Sequence, residues 1–338
     1  MFDPSIQTFC CYKAGVPSPS LAVMLELNSR SYNTVCLVSS IIGCIGAIYQ
    51  LLPRRDALLS RRWYSMTSLR GRQIIVWLAF ADFNASLVQF LGVLIRSIVK
   101  LNSPMMISWG ESTQVAFCAI LAVWIEYFYV VTWAWTLFYA VDTWLALQKK
   151  AGMPKFYHSI AWTVPAALTS FGLAFLYYPD ADCHNYSTKA TRSGDVFFRL
   201  LPNYVTIYLI ITLVMVTSPC FYFMSARKVD LFVADCLHQV TRKERSVIQS
   251  MRLRFALINL SFYACWFPNL INGIIIWSKW SDMPRTLLLA LWYIMAVTNP
   301  LQAFFNSLVY RQSNMKVCLP LAKESNEETP LIRSNINT

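Results

Sequence analysis

Seven stretches of this chain are long and apolar enough to cross a bilayer: Thr34–Leu52, Gln73–Val99, Val115–Leu147, Ile160–Tyr178, Val205–Met224, Phe255–Trp277 and Leu287–Val309. A spanning helix needs roughly 20 mostly apolar residues to cross ~30 Å of hydrocarbon. Inside lipid no water reaches the backbone, so every N–H and C=O must find its partner within the segment, and each run is predicted to be a helix. The pattern thus predicts an all-α fold, a seven-transmembrane-helix bundle over 33–310. It is flanked by an amino-terminal segment, 1–32, and a tail, 311–338, that starts as a short surface helix and continues as a polar, disordered segment. An odd number of crossings sends the two termini to opposite faces.

Charge says which face is which. The loops after spans one, three and five, together with the tail, carry 20 of the 29 Lys and Arg, among them Arg54, Arg55, Arg61, Arg62, Lys149, Lys150, Arg227, Lys228, Arg252 and Arg254. Basic loops stay in the cytosol, so the carboxyl terminus is expected there and the amino terminus outside or in an organelle lumen. The net charge of +12 then has an ordinary cause: it orients helices and meets anionic membrane lipid, and it gives no reason to expect nucleic acid. Composition agrees, with 56% hydrophobic and 14% charged residues and a mean hydropathy of +0.44. Residues 1–32 lack a basic start followed by an unbroken apolar core, since Glu26 interrupts Leu21–Leu27, so span one is expected to act as an uncleaved insertion signal.

The same topology sorts the ten cysteines. Cys36, Cys44, Cys220 and Cys265 fall inside spans, where a thiol behaves as a small hydrophobe. Cys236 and Cys318 fall on the reducing side. Cys10, Cys11, Cys118 and Cys183 face the oxidising side, where disulfides persist. A bridge from Cys118, near the outer end of span three, to Cys183, in the outer loop after span four, would pin that loop over the mouth of the bundle. Cys10 and Cys11 have no assignable partner. Asn185-Tyr186-Ser187 in the same loop is a glycosylation sequon.

Several chemistries use seven helices. A retinal protein needs a Schiff-base lysine in the last span, and Leu287–Val309 contains none. A membrane zinc hydrolase or haem carrier needs histidines inside the bundle, but His158, His184 and His238 fall at loops or span ends. Four features in order resemble instead the rhodopsin-like G-protein-coupled receptors. Asp142 follows Cys118 by 24 residues, as their Asp-Arg-Tyr motif follows the span-three cysteine. Leu78-Ala79-Phe80-Ala81-Asp82 is similar to Leu-Ala-x-x-Asp, Cys265-Trp266-Phe267-Pro268 to Cys-Trp-x-Pro, and Asn299-Pro300 to the start of Asn-Pro-x-x-Tyr. Thr143 stands where the arginine would be, and Ala303 where the tyrosine would be.

A narrower resemblance covers residues 8 to about 310. Thr8-Phe9-Cys10-Cys11, Gln50-Leu51-Leu52-Pro53, Ile95-Arg96-Ser97, Tyr139-Ala140-Val141-Asp142, Leu176-Tyr177-Tyr178-Pro179, Tyr204-Val205-Thr206 and Asn299-Pro300-Leu301-Gln302 resemble the ocular albinism type 1 protein family. The resemblance implies no enzyme. It implies an intracellular receptor of lysosomal or melanosomal membranes, linked to pigment-organelle biogenesis, responding to tyrosine, L-DOPA or dopamine and coupled to a heterotrimeric G protein.

Charges inside a span are costly and are by default functional candidates. Asp82 lies mid-membrane in span two. In the resembling receptors this position joins a sodium and water network with Asn299 nearby; the other reading is a packing carboxylate. Glu126, eight residues beyond Cys118, either faces a pocket and meets an ammonium or forms a structural pair. Arg96 either clamps a carboxylate or snorkels to lipid headgroups. Trp124, Tyr127, Tyr129, Trp133, Trp135 and Trp266 are candidates to line an aromatic ligand's pocket, against the reading that most are packing or interfacial aromatics. Pro268 and Pro300 each remove a backbone donor, and Pro268 next to Trp266 makes a hinge.

On the cytosolic side, Asp142 with Arg252 and Arg254 marks the rim of the expected coupling cleft. Cys318 is a candidate palmitoyl site or a plain reduced thiol. In the tail, Glu327, Leu331 and Ile332 have the spacing of an acidic dileucine signal. Two aliphatic anchors fill a pocket of an endosomal sorting adaptor, a carboxylate meets its basic patch, and Pro330 keeps the segment extended. The expectation is a seven-helix signalling receptor of endolysosomal or melanosomal membranes. A transporter or scaffold that keeps the fold without signalling is the second reading, and a plasma-membrane chemoreceptor the third.

Overall fold

The computed structural model describes residues 30–52, 65–101, 111–148, 150–177, 193–235, 242–278 and 284–311. They form seven helices: α1 Arg30–Leu51, α2 Ser65–Leu101, α3 Glu111–Leu147, α4 Pro154–Tyr177, α5 Ser193–Asp235, α6 Arg242–Ser278 and α7 Arg285–Arg311, with no strand among the described residues. The all-α seven-helix bundle read from the sequence is the fold. The helices outrun the apolar stretches: α5 has 43 residues, about 65 Å at ~1.5 Å per residue, well beyond the hydrocarbon thickness. Hydropathy marks only the part in lipid, whereas helical hydrogen bonding continues into the charged ends.

By length and composition, five helices can cross a membrane: α1, α2 over Gly71–Ile95, α3 over Val123–Leu147, α5 over Ile207–Lys228 and α7 over Arg285–Tyr310. Over the described residues α4 and α6 fall short of that measure. Both still present an apolar outer face, with Phe156, Val164 and Phe171 exposed on α4 and Leu260, Phe267 and Ile274 on α6. The inner face of α6 carries Asn269 and Asn272, both buried, and these lower its average. Outward apolar side chains are what a lipid-facing surface requires, and their exposure on the bare bundle is the mark of that solvent.

The helices close into a ring: α1 touches α2 and α7, α7 touches α6, α6 touches α5, and α5 touches both α3 and α4. α3 runs through the middle, packing on α2, α4 and α5, with Val131, Thr132, Trp133 and Trp135 wholly buried. The end at which α2, α4 and α6 begin exposes Arg72, Lys150, Lys155, Arg227 and Lys228, while Arg30 and Arg285 are exposed at the opposite end. We call the first the basic end.

α1 lies directly on the backbone of α7. A Cβ at Gly43 would run into the Pro300 carbonyl oxygen, and one at Gly46 would come within 2.5 Å of Phe304 Cα. Small residues are what let two helices in lipid approach this closely, where dispersion contacts replace the hydrophobic effect. The approach also repairs a defect. Pro300 has no N–H, so the carbonyl four residues earlier, Ala296, loses its helical donor. The Ser39 hydroxyl of α1 donates to that carbonyl at 2.6 Å. Replacing Gly46 by Leu should therefore force α1 off α7 and lower stability by about 1–3 kcal/mol, measured as a fall in the thermal unfolding midpoint in detergent. The same change at Gly71, where an added Cβ meets nothing nearer than 3.8 Å, should be close to silent.

Candidate functional site

The bundle interior holds a column of polar and aromatic side chains from α2, α3, α6 and α7. Its upper member, towards the end opposite the basic one, is Glu126 of α3, which is buried. Among the described residues no hydrogen-bond donor reaches its carboxylate. A buried carboxylate in low dielectric needs a cation or donors, so this position is poised to receive one. One turn further along α3, the Tyr129 hydroxyl donates to Gln89 Oε1 of α2 at 3.1 Å.

Below Glu126 lies an aromatic floor. The Trp266 ring of α6 is fully buried and meets Tyr129 edge-on at 5.0 Å and Trp133 at 4.7 Å. Such edge-to-face pairs are favoured over sandwiches because ring edges are positive and faces negative. The Trp266 indole N–H donates to Gln302 Oε1 of α7 at 2.6 Å, so the floor is bonded straight into the last helix. At the same depth Asn269 and Asn299 exchange amide hydrogen bonds, Asn269 Nδ2 to Asn299 Oδ1 at 2.9 Å and the return at 3.3 Å. Thr298 Oγ1 donates to the Cys265 carbonyl at 3.4 Å, and the Trp292 indole to Asn272 Oδ1 at 2.7 Å.

Nearer the basic end, Asp82 is buried and accepts from the Thr132 hydroxyl on Oδ1 and from Asn306 Nδ2 on Oδ2, both at 3.0 Å. This carboxylate ties α2, α3 and α7 together. Asn299 is bonded to Asn269 of α6. Asn306, seven residues on and two turns along the same face of α7, is the α7 donor to Asp82. Neither Asn306 nor Thr132 was singled out from the sequence. Nor were Asn269, Asn272 and Gln89, and Gln302 was named only within the run Asn299–Gln302, although Asn299, Gln302 and Asn306 repeat at i, i+3 and i+7, a polar stripe visible in the bare sequence.

The other candidates are placed as follows. Tyr127 is turned away from Trp266. Its ring packs on Phe128 and Trp162, and its hydroxyl donates to the Trp162 carbonyl at 3.4 Å, on the α4 side of α3. Adjacent helical residues point about 100° apart, and here Tyr127 takes the side of α3 that faces α4. Trp124 is 45% exposed on the outer surface, and Trp135 belongs to a cluster with His158 and Trp162. Pro268 and Pro300 sit inside α6 and α7, one residue from the Asn269–Asn299 pair. Asp142, at the basic end of α3, is buried and accepts from the Tyr157 hydroxyl of α4 at 3.5 Å, the long limit of such a bond. The side chains of Arg96, Cys118, Arg252 and Arg254 lie outside the described residues, as do Cys183, Asn185, Cys318, Glu327, Leu331 and Ile332 altogether.

The polar interior of the bundle is bonded through Asp82, Trp266 and Asn299, and comparison with known proteins supplies the family. The model of the ocular albinism type 1 protein family matches residues 1–327. The chain belongs to the ocular albinism type 1 protein family. It is also similar to the human protein named G-protein coupled receptor 143, with 30% identity over 329 residues, covering 92% of this chain and 77% of the relative. In this family member the departures at Thr143 and Ala303 coincide with the use of other partners: Tyr157 meets Asp142, and the buried hydroxyl and amide groups of α7 lie at Gln302, Asn306 and Ser307.

If Asp82 is the junction of α2, α3 and α7, removing one donor weakens it. Asn306→Leu or Thr132→Val should each cost about 1–2 kcal/mol, read as a lowered unfolding midpoint in detergent. The double variant should lose less than the sum, because both changes act on one carboxylate.

Proposed function

We propose that this chain is a G-protein-coupled receptor of intracellular membranes that binds a small aromatic amino acid or catecholamine in the half of the bundle opposite the basic end. The observation that carries the reading is the buried Glu126 carboxylate, to which no described side chain donates, one turn above an aromatic floor that is hydrogen-bonded into α7. A ligand ammonium on Glu126 with its ring on Trp266 would couple occupancy of the site to the α6–α7 contacts below. The exposed basic residues at the other end support a cytosolic placement there, with the amino terminus lumenal. A heterotrimeric G protein would then meet the cleft between α3, α5 and α6, beside Asp142, Arg252 and Arg254. Tyrosine, L-DOPA and dopamine are the ligand class. Arg96, near the end of α2 opposite the basic one, would take the carboxylate of the amino acids, with dopamine held by Glu126 alone.

Asp82 and the Thr132 hydroxyl are hard oxygen donors of the kind a sodium ion accepts, whereas the Asn306 Nδ2 beside them is a donor and does not ligate. A bound sodium would supply positive charge beside the Asp82 carboxylate. Cys118 and Cys183 are proposed as a disulfide, Asn185 as glycosylated, Cys318 as palmitoylated, and Glu327 with Leu331 and Ile332 as the signal read by endosomal adaptors.

Glu126→Gln keeps the shape of the side chain and removes its charge. Dopamine affinity of the purified receptor should fall about a hundredfold, measured by displacement of labelled ligand, while the unfolding midpoint barely moves. Unchanged affinity would sink the Glu126 assignment. Leu331→Ala with Ile332→Ala should move a tagged chain from lysosomes to the cell surface by imaging, and identical distributions of the two chains would remove the sorting signal. The scaffold reading draws on Thr143, which leaves Asp142 without the adjacent arginine. It predicts binding without ligand-driven nucleotide exchange on any G protein.

A further inference from the structure

Among the described residues, the hydrogen bonds of the bundle interior are unevenly spread around α6. Towards α7 it makes a ladder: Trp266 to Gln302 at 2.6 Å, Cys265 to Thr298 at 3.4 Å, the reciprocal Asn269–Asn299 amide pair at 2.9 and 3.3 Å, and Asn272 to Trp292 at 2.7 Å. Towards α3 the Trp266 ring presents edges and faces to Tyr129 and Trp133. Towards α5 it has the stack of Phe255 on Tyr222 at 5.1 Å and the bond from the Tyr263 hydroxyl to the Met215 carbonyl at 2.6 Å.

The ladder is placed with respect to both prolines. Asn269 follows Pro268 directly, and Asn299 directly precedes Pro300. The two helices are antiparallel, so Trp266–Gln302 lies on the basic side of both prolines and Asn272–Trp292 on the far side of both. The kinks are therefore stapled at their own level and bracketed above and below. A proline kink is where a helix bends with least loss of its own bonds. Here neither helix can bend without carrying the other or breaking amide bonds that no water inside the membrane would replace. A shift of one ring over another, by contrast, leaves no buried donor or acceptor unpaired, so it carries no such penalty.

We propose that α6 and α7 turn as one unit about a single stapled pair of prolines, Pro268 and Pro300, with Asn269 and Asn299 as the coupling residues. The bundle then slips between α6 and α5 and between α6 and α3, not between α6 and α7. The inference goes beyond the receptor reading and stands whether or not the bundle signals.

The test uses the full chain in lipid nanodiscs, without ligand or G protein. Encoded ketone residues carry spin labels, so that the native cysteines are left alone. Labels at Leu253 and Leu308 report α6 against α7, and labels at Arg227 and Leu253 report α6 against α5; all three positions are exposed. By pulsed electron double resonance the α6–α7 distance distribution should be single, and the α5–α6 distribution about twofold wider. In the chain carrying Asn269→Ala and Asn299→Ala together, which removes both partners and orphans neither, the α6–α7 distribution should broaden about to the α5–α6 width. An α5–α6 distribution no wider than α6–α7 in the native chain overturns the proposal, and so does an unchanged α6–α7 width in the double variant. The first comparison needs no substitution in the ladder and stands even if the double variant fails to fold. Loss of ligand binding by Glu126→Gln bears on the receptor reading alone, so the two can fail separately.

Discussion

Everything inside this bundle follows from the absence of water around it. A polar side chain on the inner face of a membrane helix must find its partner within the protein, on its own helix or on another, because hydrocarbon offers none. Asp82 therefore binds Thr132 and Asn306, Trp266 binds Gln302, and Asn269 binds Asn299. Each of these bonds fixes which helix lies beside which, at what depth and with which face. The polar interior of this protein is thus its assembly code as well as its candidate switch. Glu126 is a carboxylate buried in the same interior to which no described side chain donates, and the proposed binding site is built on it.

The same constraint explains the close seat of α1 on α7. Pro300 removes one backbone donor and leaves the Ala296 carbonyl in need of another, which Ser39 supplies. That hydroxyl can reach only because Gly43 and Gly46 present bare backbone to α7. The kink, the small residues and the serine form one solution to one missing hydrogen bond. On the opposite side of α7 the amides of α6 meet the same kinked region, so the last helix is gripped at its bend from two directions.

Much of the site was legible as motif. Asp82, Trp266, Pro268, Asn299 and Pro300 were identifiable because each sits in a short pattern at a characteristic depth of its span, and all five prove to line or flank the polar column. Their partners were not legible, for a definite reason. Asn306 and Thr132 carry no motif, and a side-chain pair across 224 residues, as between Asp82 and Asn306, leaves no local trace in one sequence. That Asn306 is the α7 residue bonded to Asp82 depends on how far one helix slides along another. Tyr127 packs against Trp162 of α4, a placement set by the rotation of α3 about its own axis.

Sequence by itself determined that there are helices, seven of them, that their outer faces meet lipid, and which prolines interrupt them. Apolar run length and the need to satisfy the backbone are local properties, and they suffice for that. Tertiary structure alone decided that α6 is laced to α7, that Ser39 completes the Pro300 kink, and that Glu126 rests above Trp266 without a described donor. Those facts depend on the relative depth and rotation of helices far apart in the chain. Depth and rotation are set by the sum of many buried hydrogen bonds and close contacts, no one of which is written in the residues nearest to it.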